Sequence, residues 1–437
     1  MPMNNTRKQA GYKYKDVLTN HPNRSQFERD LSAIYASNTL SCDHSFVGLI
    51  NIDNFKLVNH TYSYLFGDQL LIKMIHRLNQ IPEIKNFVYR FGGDEFAFIV
   101  DNKHGEHIFE IAQKITYVLD LPFEIEGKEL SITVSMGLVY MKEGEQSVME
   151  LLRKLNLAVN ECKSSGKNKF VLYDSFMKKN YEDTLTLEVA LKKAVKSGFD
   201  EFDVVFQPII DATNGEISSA EALMRWNSVE LGVVPPVRFI PVAETSGMII
   251  LLGKYILDRS LRQVKEWLDA KLDISVSVNF SVLQMLQSDL ISSVMEALQL
   301  YKVPAKYLTI EITESLIIND ITRVIEILNA LRGIGVRIAI DDFGTGYSSL
   351  NHLRRLPLDY VKIDRSFIFN IEFDPYTLAF IDTITKFCHF KNTKVCCEGI
   401  ETITQRKMLE NIDVDFLQGY LFSKPISALE FCNLLKR

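Results

Sequence analysis

The sequence predicts an α/β protein of two domains, a β-α-β-β-α-β sheet domain followed by a (β/α) barrel. Three observations predict it. Strand-like runs alternate with amphipathic, helix-like stretches along the chain. In the C-terminal half, the runs 217–224, 274–279, 307–311, 336–342, 360–362, 394–398 and 416–418 each carry a carboxylate, an amide or a lysine. The 437 residues exceed one typical domain and suit two. In a barrel of this kind the reactive groups gather at the C-terminal ends of the strands, so these scattered positions converge on one mouth. Five acidic groups and an amide there repel one another unless divalent cations neutralise them. The predicted chemistry is metal-assisted.

In the first domain, residues 1–15 read as a tail. A helix can begin from Asp16, with Phe27, Leu31, Ile34 and Tyr35 at helical spacing. Phe46–Ile52 is a buried strand and 58–78 a helix. Residues 88–91 and Glu95–Val100 are strands joined by Gly92-Gly93-Asp94, a hairpin signal because glycine supplies positive φ at little cost. A helix over 107–119, a strand over 130–140, a helix over 148–163 and a strand over 169–173 complete the domain, 16–174. That order predicts a sheet covered by helices on one face. Residues 175–183 form a polar connection within a linker and helix start at 175–190, and 185–196 an amphipathic helix. The barrel occupies 191–437.

Composition narrows the function. Hydrophobic content of 47% and 24% charged residues describe an ordinary soluble globular chain. A net charge of −6 without a long basic run argues against a nucleic acid duplex as partner and leaves room for a small anionic nucleotide. Residues 248–253 are too few to cross a bilayer, and the polar N-terminus lacks an export signal, so no membrane partner and a cytoplasmic setting are expected. The six cysteines follow no zinc or disulfide spacing and read as reduced thiols; Cys396 and Cys397 read as small buried hydrophobes.

"RFGGDEF" at 90–96 resembles the signature of GGDEF domains, the diguanylate cyclase family, and the resemblance extends over roughly 16–174 through "LTNHPNR" at 18–24, "NIDNFKLVN" at 51–59 and Gly67-Asp68. The resemblance implies that the Gly92-Gly93 hairpin approaches GTP phosphates and that Asp94 helps hold Mg²⁺. By the same matching, Asn59 and Asp68 hydrogen-bond guanine, and Arg90 and Lys163 contact phosphates. Several positions depart from the family's pattern. Its first metal-binding aspartate falls on Asn51, a neutral amide that holds a hard dication less well. An expected aspartate is His60, a Gly-His pair is Ser63-Tyr64, a late tyrosine is Asn160, and a late arginine is Lys167, which cannot form a bidentate fork. The inhibitory RxxD motif is absent at 83–86. The expectation is a cyclase-like fold that binds GTP as a regulator and is weak or inactive as a cyclase.

"EALMRW" at 221–226 resembles the signature of EAL domains, the cyclic di-GMP phosphodiesterases. Supporting it over roughly 185–437 are "VFQPI" at 205–209, "SVNFS" at 277–281, "EITES" at 311–315, "DDFGTGYSSL" at 341–350, "VKIDRSFI" at 361–368, "EGIET" at 398–402 and "QGYLFSKP" at 418–425. The resemblance implies an EAL-type TIM (β/α)8 barrel holding two Mg²⁺ or Mn²⁺ ions. Glu221, Asn279, Glu311 and Asp341 would bind one metal, and Asp341 with Asp342 the second. It also implies Glu398 as general base, Lys362 orienting the nucleophile, and Gln207, Leu223, Arg225, Glu401 and Gln418 around the substrate. Glu314 would support the loop at 344–350 and its coupling to a homodimer through EAL domains. Adjacent aspartates normally point to opposite sides of a strand, so both face one site only where the backbone turns; Gly344 and Gly346 supply a turn. Taken singly, such residues have plainer explanations: a strand-ending acid can cap the next helix, and Lys362 could be a solvated rim cation. Jointly they read as an active site. The expected activity is hydrolysis of cyclic di-GMP to linear pGpG. The rivals are a bifunctional cyclase and phosphodiesterase, favoured by the intact GGDEF letters and opposed by Asn51, and a non-catalytic cyclic di-GMP receptor, opposed by the complete metal set.

Overall fold

The computed structural model describes residues 13–37, 45–85, 87–100, 108–141, 147–317, 321–344 and 350–435. Contacts divide the chain into two units, Met1–Asp183 and Thr184–Arg437.

The first unit contains β1 (Phe46–Ile52), β2 (Val88–Gly92), β3 (Glu95–Val100), a small hairpin β4 (Phe123–Ile125)–β5 (Lys128–Leu130), β6 (Val134–Tyr140) and β7 (Lys169–Leu172). The main sheet has the order β2-β3-β1-β6-β7. Every residue of the central β1 is buried. Phe46, Ile50 and Ile52 join one apolar cluster with Leu70, Met74 and Ile115, whereas Val47 and Leu49 join another with Phe27, Leu31 and Leu155. The helices Tyr64–Leu78 and Ile108–Asp120 therefore cover one face, and Arg24–Ser37 and Val148–Ser164 the other. This corrects the expectation of helices on one face. A strand reading FVGLINI has no solvent side, and burying each large apolar side chain stabilises the fold by about 1.5–3 kcal/mol only if both faces are covered.

Three boundaries also differ from the sequence reading. The helix expected from Asp16 begins at Arg24, because Asp16 Oδ1 accepts from Thr19 N at 2.9 Å and closes residues 16–19 into a turn. The stretch 58–78 lies in two helices, Phe55–Thr61 and Tyr64–Leu78; Ser63 caps the second by accepting from Phe66 N at 3.1 Å. Glu126 and Gly127, at φ 52° and 73°, turn β4 into β5 ahead of β6.

The helix Ser175–Lys196 includes residues 175–183, expected as a polar connection. No proline or glycine interrupts it, and Leu187, Ala190, Leu191, Ala194 and Val195 bury one stripe at helical spacing. The barrel follows with β8 (Phe202–Asp211), β9 (Ile217–Ser228), β10 (Gly232–Val234), β11 (Ser275–Phe280), β12 (Leu308–Thr313), β13 (Arg337–Phe343), β14 (Tyr360–Ile363), β15 (Lys394–Cys397) and β16 (Phe416–Leu417). Strands β9, β11, β12, β13, β14, β15, β16 and β8 close a ring of eight, and β10 flanks β9. From β9 to β16 neighbouring strands of the ring are parallel, but β8 runs antiparallel to both β9 and β16. The opening unit is thus a hairpin and not a βαβ crossover. Its turn holds Gly215 at φ 75°, and Asp211 Oδ1 accepts from Thr213 N at 2.9 Å. So short a connection cannot carry a parallel return.

Along the parallel strands the side chains alternate. Val276, Val278, Ile310, Ile312, Ile338, Ile340, Val361 and Val395 belong to the large core shared with the surrounding helices. Ser277, Asn279, Glu311, Asp341 and Lys362 take the alternate, inward positions. No helix among the described residues is long and apolar enough to cross a membrane.

Candidate active site

Register brings the polar positions to one end of the barrel. Ser277 pairs with Glu221, Asn279 with Glu311, and Thr313 with Asp341. Glu221 sits inside β9, which continues to Ser228 in order to pair with β8 and β10. At the end of β13 the register shifts between Ile340 and Phe343, and Asp342 takes the left-handed conformation at φ 52°. Its N–H donates to Asp341 Oδ1 at 3.0 Å. That turn lets two adjacent aspartates serve one site. Ligand oxygens of Glu221, Glu311 and Asp341 lie within 4.8 Å of one another, and so do those of Asp341, Asp342 and Glu398. The two groups share Asp341.

Lys362, 2% exposed, stands among them. Its Nζ donates to Glu311 Oε2 at 2.6 Å and Glu221 Oε2 at 3.3 Å. It also lies 3.2 Å from Asp341 Oδ1 and 2.6 Å from Glu398 Oε1, the last contact outside hydrogen-bond alignment. Burial alone would lower the ammonium's pKa, but Asp341, Glu221, Glu311 and Glu398 outweigh it and hold it well above the ordinary lysine value. The carboxylates diverge. Burial pushes Glu311 up to about 8 and raises Asp341 and Glu398, all against the pull of Lys362. Burial, then Asp341 and Asp364, bring Asp342 to about 6. Burial would raise Glu221 too, yet Lys362 and the amides of Gln418 and Asn279 carry it below the ordinary value. One ammonium does not balance three buried carboxylates and the half-buried Glu398. The donor set consists of hard oxygens in two overlapping groups, which fits divalent cations of the Mg²⁺ or Mn²⁺ type.

The other expected residues are placed as follows. Asn279 Nδ2 donates to Glu221 Oε1 at 2.7 Å. Gln418 Nε2 donates to Glu221 Oε2 at 2.7 Å and to Gln207 Oε1 at 3.2 Å, and Gln207 Nε2 donates to Ser423 O at 3.2 Å. These two buried glutamines brace Glu221. Glu314 Oε2 accepts from Gly344 N at 3.3 Å; Gly346 and the rest of 345–349 lie outside the described residues. Leu223 and the half-buried Arg225 line an apolar groove of ≈ 270 Å³ with Ile240, Glu244 and Asn279. Glu401 is exposed before the helix Ile403–Glu410. Sequence reasoning missed Asp364, which hydrogen-bonds Asp342 and caps the helix Arg365–Phe369. Its signal was its place two residues after Lys362.

In the first unit, Gly92 and Gly93, at φ 150° and 49°, turn β2 into β3, and Asp94 follows them. Asn59 Oδ1 is buried without a hydrogen-bond partner among the described residues; a Cβ on Gly67 would sit 2.0 Å from it. Asp68 stands next along that helix. Arg90 is 5% exposed, donates to Glu95 O at 3.2 Å and lies over the Phe96 ring at 4.7 Å. Lys163 occupies the last turn of Val148–Ser164 and acts electrostatically on Glu95. Asn51 pairs with Glu95 in register and hydrogen-bonds its carboxyl group. Asp53 does not replace the lost carboxylate, because it already accepts from Ser135 Oγ, Thr133 Oγ1 and Asn168 N at 2.7, 2.9 and 3.1 Å.

Comparison with known proteins agrees with this geometry. Residues 188–425 match the EAL domain family and residues 13–169 the family described as diguanylate cyclase, GGDEF domain. The chain belongs to the EAL domain family and carries a GGDEF domain ahead of the barrel. It is 33% identical over 415 residues to the bifunctional diguanylate cyclase/cyclic di-GMP phosphodiesterase MucR of Pseudomonas aeruginosa, covering 94% of this chain and 60% of that one. It is 32% identical to the cyclic di-GMP phosphodiesterase PdeR of Escherichia coli, covering 97% and 63%. The chain therefore spans about three-fifths of the length of these relatives. A solved structure of the PaMucR phosphodiesterase in its c-di-GMP complex is 36% identical, with a TM-score of 0.54, covering 56% of this chain and 99% of that one.

Proposed function

We propose that this protein hydrolyses cyclic di-GMP to linear pGpG in its EAL barrel. The observation that carries this reading is the pair of carboxylate groups, Glu221–Glu311–Asp341 and Asp341–Asp342–Glu398, sharing Asp341. With Asn279 they would hold two Mg²⁺ or Mn²⁺ ions, which supply Lewis-acid charge stabilisation and a water of lowered pKa. The protein's own groups do the rest. Arg225 grips a phosphate, and the groove beside Leu223 and Arg225 offers apolar cover for a base. Glu398 takes one proton of the water that attacks phosphorus; the bond from phosphorus to the ribose 3′ oxygen breaks, and that oxygen takes a proton from solvent and leaves as a hydroxyl. Lys362 stabilises charge at the reacting centre. Gln418 and Gln207 fix Glu221, Glu401 borders the substrate, and Glu314 holds the start of the loop after β13.

The GGDEF domain, on this reading, binds GTP as a regulator and has weak or no cyclase activity, because Asn51 offers an amide already engaged with Glu95. The retained Gly92-Gly93-Asp94 turn supports the bifunctional alternative. Phe369, Phe373 and Tyr376, 74%, 85% and 87% exposed, support a homodimer through the EAL domain, and the proposed guanine-nucleotide substrate supports a cytoplasmic setting. The test is direct: purified protein is incubated separately with cyclic di-GMP and with GTP, plus Mg²⁺ or Mn²⁺, and products are identified. Release of pGpG is expected; intact cyclic di-GMP with either metal overturns the reading.

A further inference from the structure

The barrel interior is asymmetric below the site just described. Ile209, Cys396 and Phe416, with Tyr360, fill one side as a small apolar cluster. Opposite them Ser219, Ser275, Ser277, Thr309 and Ala339 are all small. They cannot reach across, and a cavity of ≈ 30 Å³ remains. That is room for about two waters. Glu311 and Lys362 line it too, so the cavity reaches the charged cluster. Ser277, one of the residues lining the cavity, is 4% exposed, and its buried hydroxyl has no hydrogen-bond partner among the described residues.

A buried hydroxyl without a partner costs the fold free energy, and an apolar cavity would stay dry. This one is apolar on the side of Ile209, Cys396 and Phe416, but its other lining residues include four serines, Thr309, Glu311 and Lys362, which offer a water the polar partners it needs. We propose that the barrel holds an internal hydration site beneath the carboxylate cluster, anchored on Ser277, whose water fixes the positions of Glu311 and Lys362. Ser277 is then a positioning residue: it acts through water on the groups that meet the substrate. Ser277 faces inward and pairs in register with Thr309, two residues before Glu311 on the same face of β12, and with Glu221 on β9.

The inference rests on the proposed hydrolysis only for its kinetic part. A high-resolution crystal structure of the full chain is expected to show ordered water within hydrogen-bond distance of Ser277 Oγ; a dry cavity overturns the proposal whatever the activity proves to be. Ser277→Val fills the space and removes the hydroxyl. It should lower kcat about tenfold while KM stays within about twofold, because substrate-binding groups are untouched. Wild-type kcat in the folded variant overturns the positioning role, as does an equal change in KM. Should Ser277→Val not fold, Ser277→Ala is used, with a several-fold loss of kcat expected and wild-type kcat counting against the proposal. If the protein does not cleave cyclic di-GMP at all, the crystal structure of Ser277→Ala decides: Lys362 Nζ is expected to shift from Glu311, and an unmoved Lys362 overturns the role.

Discussion

Lys362 shows how charge at a single residue organises this site. It is buried against four carboxylates, and removing one member of such a cluster exposes the rest to uncompensated repulsion. Lys362→Met should therefore cost about 3–5 kcal/mol in chelator, and added Mg²⁺ or Mn²⁺ should restore part of it by supplying the missing positive charge. Denaturant unfolding with and without metal checks this. Equal loss in both conditions would show that the carboxylates do not gather around a cation. Glu221→Ala and Asp341→Ala each remove a candidate ligand, and Asp341 serves both groups. Both variants should abolish hydrolysis and weaken metal binding in a calorimetric titration; folded protein with unchanged metal affinity would contradict the assignment. Glu398→Gln keeps shape but cannot accept a proton, so KM should hold while kcat falls by about 10²–10⁴-fold. Near-native turnover would remove it as the base.

At the scale of elements, close packing makes sharper demands than propensity. Gly137 on β6 would carry a Cβ 2.7 Å from Leu155 O and 2.8 Å from Val159 N, where strand and helix backbones nearly touch. Gly137→Ala should destabilise the first unit by about 1–3 kcal/mol, read as a lower denaturant midpoint. An unchanged midpoint would mean that the helix Val148–Ser164 shifts freely. The same scale explains what the sequence showed and hid. Glu311, Asp341 and Lys362 were legible because strands alternate with period two, so an acid or a lysine within an apolar run must face inward. The β8–β9 hairpin was not, since a strand's direction depends on the turn at 212–216 and not on its own residues. The two-sided cover of β1 is written in its alternating positions, with Phe46, Ile50 and Ile52 on one face and Val47 and Leu49 on the other. The break at Ser63 turned on one hydroxyl in a stretch that otherwise repeats at helical spacing.

For the whole molecule the question is whether the GGDEF domain speaks to the barrel. Asn59, with its buried unpartnered Oδ1, and the neighbouring Asp68 retain polar groups that could read guanine. GTP should change the rate of cyclic di-GMP hydrolysis, by roughly 5–150-fold if the coupling is of ordinary allosteric size. Asp68→Ala should remove the response without lowering basal activity. A GTP titration that leaves hydrolysis unchanged would make the domain a structural module. Cyclic di-GMP formed from GTP by the Glu398→Gln protein would instead establish the bifunctional reading.

The reversed strand β8 also sets a timetable for biosynthesis. It is the first barrel strand to leave the ribosome, yet one of its two partners is the last: Ile210 and Asp211 pair with Leu417 and Phe416. At roughly 5–20 residues per second, the free edge of the β8–β9 hairpin waits about 10–40 s for that partner. During the wait it is an open strand edge, the kind that recruits other chains. Nascent chains stalled before Phe416 should therefore engage chaperones or aggregate, whereas chains stalled beyond Leu434 with the tunnel cleared should not. The barrel is completed by its oldest strand, and the risk of misassembly is concentrated in the interval before it closes.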